Sequence, residues 1–254
     1  MESIAAEARP YIETLGLRWV ITCEQVPDPL ISDMMSDKKT QSHHLMIGAR
    51  PGTLSRQISL VRLLCRASLA EQVDPALSTR IVVADRPSAS PDEIKALGGE
   101  IDHLRNAWQV VEVWTGDVLA LHWPQLLQQE LYRIGEVCDE VQATGGWSQF
   151  APPAGLPILA RYVAQAARHR IPVPSLDTVL SGIAKHYPVY PGTINTYETI
   201  AELCCLYQQL PGISGNRTRD LTVLERSVNK VVRLLELPIS PRLMVDADNA
   251  VWVL

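Results

Sequence analysis

The sequence predicts a mainly α fold, a helical bundle-like architecture with a few short β segments. Three observations support this prediction. Long stretches repeat apolar residues every three or four positions, which is the period of an amphipathic helix. Helix start signals precede several of these stretches, whereas alternating apolar runs typical of strands are short and few. With 254 residues, the chain is long enough to bury a sizeable core.

The first third of the chain mixes both kinds of element. It is predicted to contain a short N-terminal helix, a strand at about residues 17–22 and a loop at residues 33–46. A helix follows from about Thr53 to Gln72, with one apolar face for the core and one cationic face for solvent or a partner. A second short strand is predicted at about residues 79–84.

A helix start signal lies at Ser90 and Pro91, where Ser is a favourable N-cap and Pro suits the first helical position. The helix carries a heptad-like apolar seam: Ile94, Leu97, Ile101, Leu104, Trp108 and Val111. Gly98 and Gly99 interrupt it and predict a kink or break, since Gly weakens a helix interior. The seam is expected to pack either on this protein's own core or on a helix of a partner.

The remaining elements are predicted as helices and one hairpin. The helices span about 126–141, 158–169, a short segment from 175, 195–210 and 218–236, and the hairpin spans 242–254. Between them, residues 144–157 are rich in Gly and Pro and form a candidate boundary. The predicted organisation is therefore an N-terminal helical region, 1–146, and a C-terminal helical region, 147–254, which could also form one continuous domain.

One segment resembles a known family. Residues 154–180, AGLPILARYVAQAARHRIPVPSLDTVL, resemble the last helical segment of ketopantoate reductases, with the IPVP turn between two helices. The acidic and Asn residues that this family uses there are replaced by Ala154, Leu156 and Leu159, and the glycine-rich cofactor loop is absent. The resemblance therefore implies a helix–turn–helix geometry and no activity.

Composition excludes several classes of protein. No apolar run is long enough for a signal peptide or a membrane span, so a soluble, cytoplasmic protein without a membrane partner is expected. The five cysteines are scattered without a CxxC pair, which argues against a disulfide framework and a cysteine zinc site. His43 and His44 are adjacent and cannot point the same way in regular structure. No metal or cofactor is therefore expected.

Charge is segregated along the chain, although the formal net charge is −5. Residues 38–70 carry six Lys or Arg and no acidic residue, whereas residues 71–146 carry thirteen acidic and five basic residues. Blocks of opposite sign indicate either internal neutralisation or different partners for different faces. The sequence does not distinguish these two uses.

The cations fall in three groups that could meet an anion. Arg50 lies in the turn from Gly48 to Gly52, ahead of a helix N-terminus whose amides could hold a phosphate. Two helix faces carry the others at helical spacing, and such stripes suit a polyanion. The predicted anion-binding or nucleic-acid-binding residues are Arg50, Arg56, Arg62, Arg66, Arg217, Arg219, Arg226, Lys230 and Arg233.

These patterns favour a non-catalytic structural or assembly protein that binds a polyanion, most naturally nucleic acid, in a role such as that of a coat or nucleocapsid protein. Self-association, or a helical protein partner, would use the acidic block and the seam. One alternative is an enzyme that binds a small phosphorylated or carboxylated substrate at the Gly48–Gly52 turn. Another is a protein-interaction module that uses the 94–111 seam. No catalytic residue is assigned, because GxSxG and P-loop motifs are absent and His103, His122, His169 and His186 are isolated.

Overall fold

The computed structural model describes residues 2–28, 32–48, 54–78, 91–151, 153–188, 195–245 and 250–253. Its helices are α1 (Glu2–Leu15), α2 (Leu54–Gln72), α3 (Pro91–Ala107), α4 (Gln109–His122), α5 (Pro124–Thr144), α6 (Gly155–Arg168), α7 (Pro174–His186), α8 (Thr196–Gln208) and α9 (Arg217–Leu234). Its strands are β1 (Val20–Val26), β2 (Ser32–Asp37), β3 (Ser42–Gly48), β4 (Arg242–Val245) and β5 (Ala250–Val253). The prediction of a mainly α fold is confirmed.

A small mixed sheet near the N-terminus was missed in part by the sequence prediction. Its order is β1-β3-β2, with β3 parallel to β1 and antiparallel to β2. The prediction of a loop at residues 33–46 is wrong, because β2 and most of β3 lie there. Two of the inward-facing positions are polar, Ser36 and His43, and both are buried. Polar residues at buried positions concealed the alternation that marks a strand.

Two other predicted strands have different outcomes. The strand at 17–22 exists, but it begins at Val20 and continues to Val26, where Pro27 follows. The strand at 79–84 falls outside the described residues. In the C-terminal hairpin, β4 and β5 pair antiparallel as predicted.

Helix α2 is the centre of the fold because two hydrophobic clusters share it. Leu60, Leu63 and Leu64 belong to a cluster with the sheet and α1, whereas Val61 and Leu69 belong to the main cluster of the helical bundle. The main cluster includes residues on both sides of position 146. Consequently α2 has no wide solvent face, and the sequence prediction of an exposed cationic face on this helix is wrong.

The helix that carries the seam runs through Gly98 and Gly99 without interruption, so the predicted break does not occur there. The break falls instead at Trp108, which separates α3 from α4 and is itself buried. Leu104 and Val111 are also buried in the main cluster. Because the bundle of this chain covers these side chains, they are not available to a partner helix.

The C-terminal helices form as predicted. Asn195 caps α8 by accepting from the amides of Tyr197 and Glu198, and Asn216 caps α9 by accepting from the amide of Arg219. Helices α6 and α7 give the helix–turn–helix expected for residues 154–180. Of the helices that the structure describes, none is long and apolar enough to span a bilayer.

A buried carboxylate closes the fold across a long sequence separation. The Asp74 side chain accepts from the amide of Ala76 at 2.9 Å and from the amide of Ala250 at 3.0 Å. It also binds Arg217, with Nε 2.8 Å from Oδ2. Asp74 therefore connects the end of α2 to the start of α9 and to the C-terminal hairpin.

Candidate functional site

Helix α9 presents its cations on one outward face. Arg219, Arg226 and Arg233 are exposed and Lys230 is half-buried, and these four residues define the α9 cationic face. The stripe is about 21 Å long at 1.5 Å per residue. The opposite side of the helix packs into the main cluster through residues such as Leu224, Val228 and Val231. The sequence prediction of one cationic and one apolar face is therefore confirmed for this helix.

The α9 cationic face is not neutralised within the part of the chain that the structure describes. None of its four cations forms an ion pair with a described carboxylate. The two acidic residues of α9 lie elsewhere on the helix. Asp220 is buried and accepts from the amides of Ser214 and Gly215, and Glu225 accepts from the amide of Leu243. The α9 cationic face therefore keeps four cations unpaired with described carboxylates, on a protein whose formal net charge is −5.

Arg217 does not belong to this face. Its guanidinium binds Asp74, with Nη2 2.7 Å from Oδ2, and its side chain is only 29% exposed. This contact holds the first turn of α9 against the end of α2. The assignment of Arg217 to a nucleic-acid surface is therefore replaced by a structural role.

The cations of α2 lie inside the protein. Arg56, Arg62 and Arg66 are only 7%, 8% and 6% exposed. Arg56 is paired with Glu7 of α1, and the other two reach carboxylates of the bundle. They were assigned to a polyanion because their spacing resembles that of an exposed stripe. Since they are buried, they cannot form a continuous surface for one.

Arg62 is the centre of a buried ionic network. Its Nη2 lies 2.6 Å from Glu112 Oε2 of α4, and its Nη1 lies 2.8 Å from Glu130 Oε2 of α5. Tyr162 donates to the other oxygen of Glu130 at 3.2 Å. Arg66 approaches Glu112 at 3.5 Å. The network therefore joins α2, α4, α5 and α6 at the middle of the bundle.

Helix α6 supplies two polar side chains to the interior of the protein. Arg161 and Gln165 are both buried. Gln165 donates to the backbone carbonyl of Glu112 at 2.9 Å, and a side chain at Gly116 would collide with its amide. The guanidinium of Arg161 lies over the Tyr162 ring, 3.9 Å from its centroid.

The electrostatics of the network favour its ionised form. Burial alone would raise the pKa of the Glu112 carboxyl, but Arg66, Arg62 and Arg161 outweigh burial and hold the pKa far below its ordinary value. For Arg62, burial would lower the pKa, and the charges of Glu130 and Glu112 raise it above its ordinary value instead. Glu112 and Arg62 are therefore both charged at neutral pH, and their attraction crosses from α4 to α2.

The other predicted site residues have separate outcomes. Arg50 and most of the Gly48–Gly52 turn fall outside the described residues. For Ile94 and Leu97 the structure describes the helical backbone alone, and Ile101 is half-buried. Across the described residues, no group of three His, Cys, Asp or Glu side chains is placed to hold a metal ion.

Sequence reasoning missed a buried histidine relay. His43 and His44 point to opposite faces of β3, as predicted, and His43 is fully buried. Its Nδ1 lies 2.6 Å from Ser36 Oγ, and its Nε2 lies 3.2 Å from Glu71 Oε1. Trp19 stacks on the imidazole at 5.0 Å between ring centroids. The partners are far apart in sequence, so no local motif could have identified them.

Ser36, His43 and Glu71 are hydrogen-bonded in the same order as the residues of some nucleophilic catalytic sites, but the serine is buried. Ser36 is 4% exposed, so a substrate cannot reach its hydroxyl. Glu71 also accepts from the amides of Arg18 and Trp19, both at 3.0 Å. The arrangement satisfies every polar group of a buried histidine and fastens the sheet to the end of α2.

Acid is expected to weaken this part of the protein. Burial lowers the pKa of His43 below its ordinary value of 6.5, and Glu71 offsets this effect only in part. The unfolded chain therefore takes up a proton at His43 before the folded chain does, and the contribution of His43 to stability falls as the pH drops below 6.5. Urea midpoints measured from pH 7.5 to 5 should show a smaller decline in His43→Gln than in the wild type. The exposed His122→Gln variant should keep the wild-type decline, and an equal decline in all three proteins would contradict this expectation.

The chain matches no protein-family model, and it matches no curated protein and no solved structure.

Proposed function

We propose that this protein is a non-catalytic structural or assembly protein that binds a polyanion, nucleic acid, through the α9 cationic face. The observation that carries the proposal is the exposure of Arg219, Arg226 and Arg233, with Lys230, on one helix face without a neutralising carboxylate among the described residues. A phosphate backbone offers such a face a row of anions in place of counterions.

The negative net charge of the chain does not oppose this use, because association responds to the local field. The two acidic residues of α9, Asp220 and Glu225, lie outside the stripe that joins Arg219 to Arg233. Arg219 and Arg226 are about 10 Å apart along the axis, and Lys230 and Arg233 follow at about 6 and 4.5 Å. A flexible strand can place successive phosphates along this row.

The number of cations that contact phosphates determines how steeply binding depends on salt. Four cations predict a slope of about −3 for the logarithm of the binding constant against the logarithm of salt concentration, with a single strand. The nine cations identified in the sequence would have predicted a slope of about −6. The salt slope therefore measures which of the predicted cations take part.

The test compares two triple variants of equal charge. One is Arg219→Gln, Arg226→Gln and Arg233→Gln, and the matched control is Arg9→Gln, Arg170→Gln and Lys185→Gln, three exposed cations on other elements. Binding of a fluorescent 30-nucleotide single strand is measured between 50 and 200 mM salt, conditions chosen because the electrostatic contribution changes steeply there. The α9 variant should lose about 2 from the salt slope, because three phosphate contacts are removed.

The control should keep the wild-type slope, because its cations lie outside the α9 cationic face. Equal losses in the two variants would contradict a defined site and indicate a net-charge effect. A wild-type protein that shows no binding at 50 mM salt would contradict the proposal itself.

A further inference from the structure

A groove between α2 and α5 lies apart from the α9 cationic face. Its volume is about 370 Å³, and its lining includes Ile58, Ile134 and Val137 with Arg133, Glu136 and Glu140. We call it the α5 groove. The apolar residues come from both helices, whereas the charged residues come from α5 alone. No residue of α9 lines it.

The rim of the α5 groove is acidic at its outer end. Glu136 and Glu140 are exposed, one helical turn apart, and neither pairs with a described cation. Arg133 is also exposed and reduces the negative charge of the rim. At the inner end, Glu130 accepts hydrogen bonds from Arg62 and Tyr162. The two outer carboxylates therefore determine what the groove attracts.

The chain carries the complement of this groove on α9. Arg226 and Lys230 are four residues apart, about 6 Å along the helix, which is also the separation of Glu136 and Glu140. Long Arg and Lys stems can cover apolar residues while their charged ends reach a rim. The floor of Ile58, Ile134 and Val137 offers such a surface. Guanidinium groups bind carboxylates in paired geometry.

From this match of charge, spacing and apolar floor, we propose that the α9 cationic face of a second copy docks in the α5 groove. The contact joins two different surfaces, so a pair of copies held by one such contact keeps one free groove and one free cationic face. Such a contact closes into a ring or extends as a filament. The inference goes beyond nucleic-acid binding and does not depend on it. It also makes the two partners competitors, because a polyanion and a second copy use the same cations.

The test uses two variants that each remove one side of the contact. Glu136→Gln with Glu140→Gln removes the acidic rim, and Arg226→Gln with Lys230→Gln removes the two cations that match it. Sedimentation velocity is measured without nucleic acid at 50 mM salt, at a concentration where half of the wild-type protein is associated. Each variant alone should associate about tenfold more weakly, as expected for the loss of two ion pairs.

Mixing the two variants provides the decisive result. Each retains the surface that the other lacks, so the mixture should form a dimer that does not grow further. The matched control Glu198→Gln with Glu202→Gln removes two exposed carboxylates of the same spacing on α8 and should associate like the wild type. Arg133→Gln should strengthen association about threefold, because it removes the opposing charge from the rim.

Either of two results would overturn the docking proposal: a mixture that stays monomeric, or a wild-type protein that is monomeric at low salt. Neither result would contradict the proposal of nucleic-acid binding, because the wild type and the rim variant both keep the whole α9 cationic face. Conversely, loss of nucleic-acid binding in the wild type would leave the sedimentation results unchanged. The two proposals can therefore fail independently.

Discussion

Replacing Glu112 with alanine is expected to lower the free energy of unfolding by about 3–5 kcal/mol, the cost of leaving buried cations without their partner. Glu112 is the one carboxylate that contacts both Arg62 and Arg66, among the residues described, and its charge also acts on Arg161. Removing it leaves three buried guanidinium groups with only Glu130 nearby. Repacking of the neighbouring side chains cannot replace the negative charge that Glu112 of α4 places beside Arg62 and Arg66 of α2.

The measurement is urea denaturation followed by circular dichroism at pH 7. Glu202→Ala removes an exposed carboxylate on α8 and is the matched control, with an expected change within about 0.5 kcal/mol. Glu112→Gln should also be destabilising, because it removes the charge that balances the buried guanidinium groups, but less so than Glu112→Ala, because its amide oxygen can still accept a hydrogen bond from Arg62. A change below 1 kcal/mol in both Glu112 variants would show that the network does not stabilise the bundle.

The Glu112 variants should also differ from the wild type in acid. The folded-state pKa of Glu112 lies below its ordinary value of 4.5, so its contribution to stability is present above pH 4.5 and is lost as the pH falls below that value. The gap in stability between the wild type and Glu112→Gln should therefore narrow below pH 4.5. A constant gap would indicate that the carboxylate charge is not what the variant removes.

Replacing Asp74 with alanine is expected to cost about 3 kcal/mol. The change leaves the amides of Ala76 and Ala250 and the guanidinium of Arg217 without their acceptor, and an unsatisfied buried donor costs about 1–3 kcal/mol. Asp74→Asn should lose less, because its amide oxygen can still accept one of these bonds.

Thermal and urea unfolding of Asp74→Ala should be compared with those of Asp102→Ala. Asp102 is a surface residue of α3 that pairs with Arg105 while remaining 69% exposed, so its loss should change stability by less than about 0.5 kcal/mol. If the two aspartate variants were equally stable, the contacts of Asp74 across the fold would not contribute to stability.

The sequence predicted the elements whose environment follows from their own period. Helix α9 has a single apolar stripe, so its outward cations could be assigned before the structure was known. The same reasoning failed for α2, whose cations are paired inside the protein. Arg62 pairs with Glu112 and Glu130, and Arg66 pairs with Glu112. A residue pattern within one helix contains no information about a neutralising partner about fifty residues away. The burial of Arg161 and Gln165 was hidden for the same reason.

The sheet was the other element that local patterns could not predict. Strand β3 lies between β1 and β2, and its partner β1 is separated from it by the whole of β2. The polar residues Ser36 and His43 face inward and hydrogen-bond to each other, and Glu71, at the end of α2, bonds to the other ring nitrogen of His43. Only the tertiary structure makes those positions suitable for polar side chains.

The sharing of α2 between two clusters has a consequence for how the protein opens. If the sheet and α1 separated from α2, Leu60, Leu63 and Leu64 would be exposed to water. If the rest of the bundle separated from α2, Val61 and Leu69 would be exposed instead. The separation of either layer therefore exposes apolar surface of α2, and this exposure costs about 25 cal/mol for each Å². We therefore expect the opening of one layer to be energetically coupled to the other, and α2 to be the last element to lose protection from hydrogen exchange.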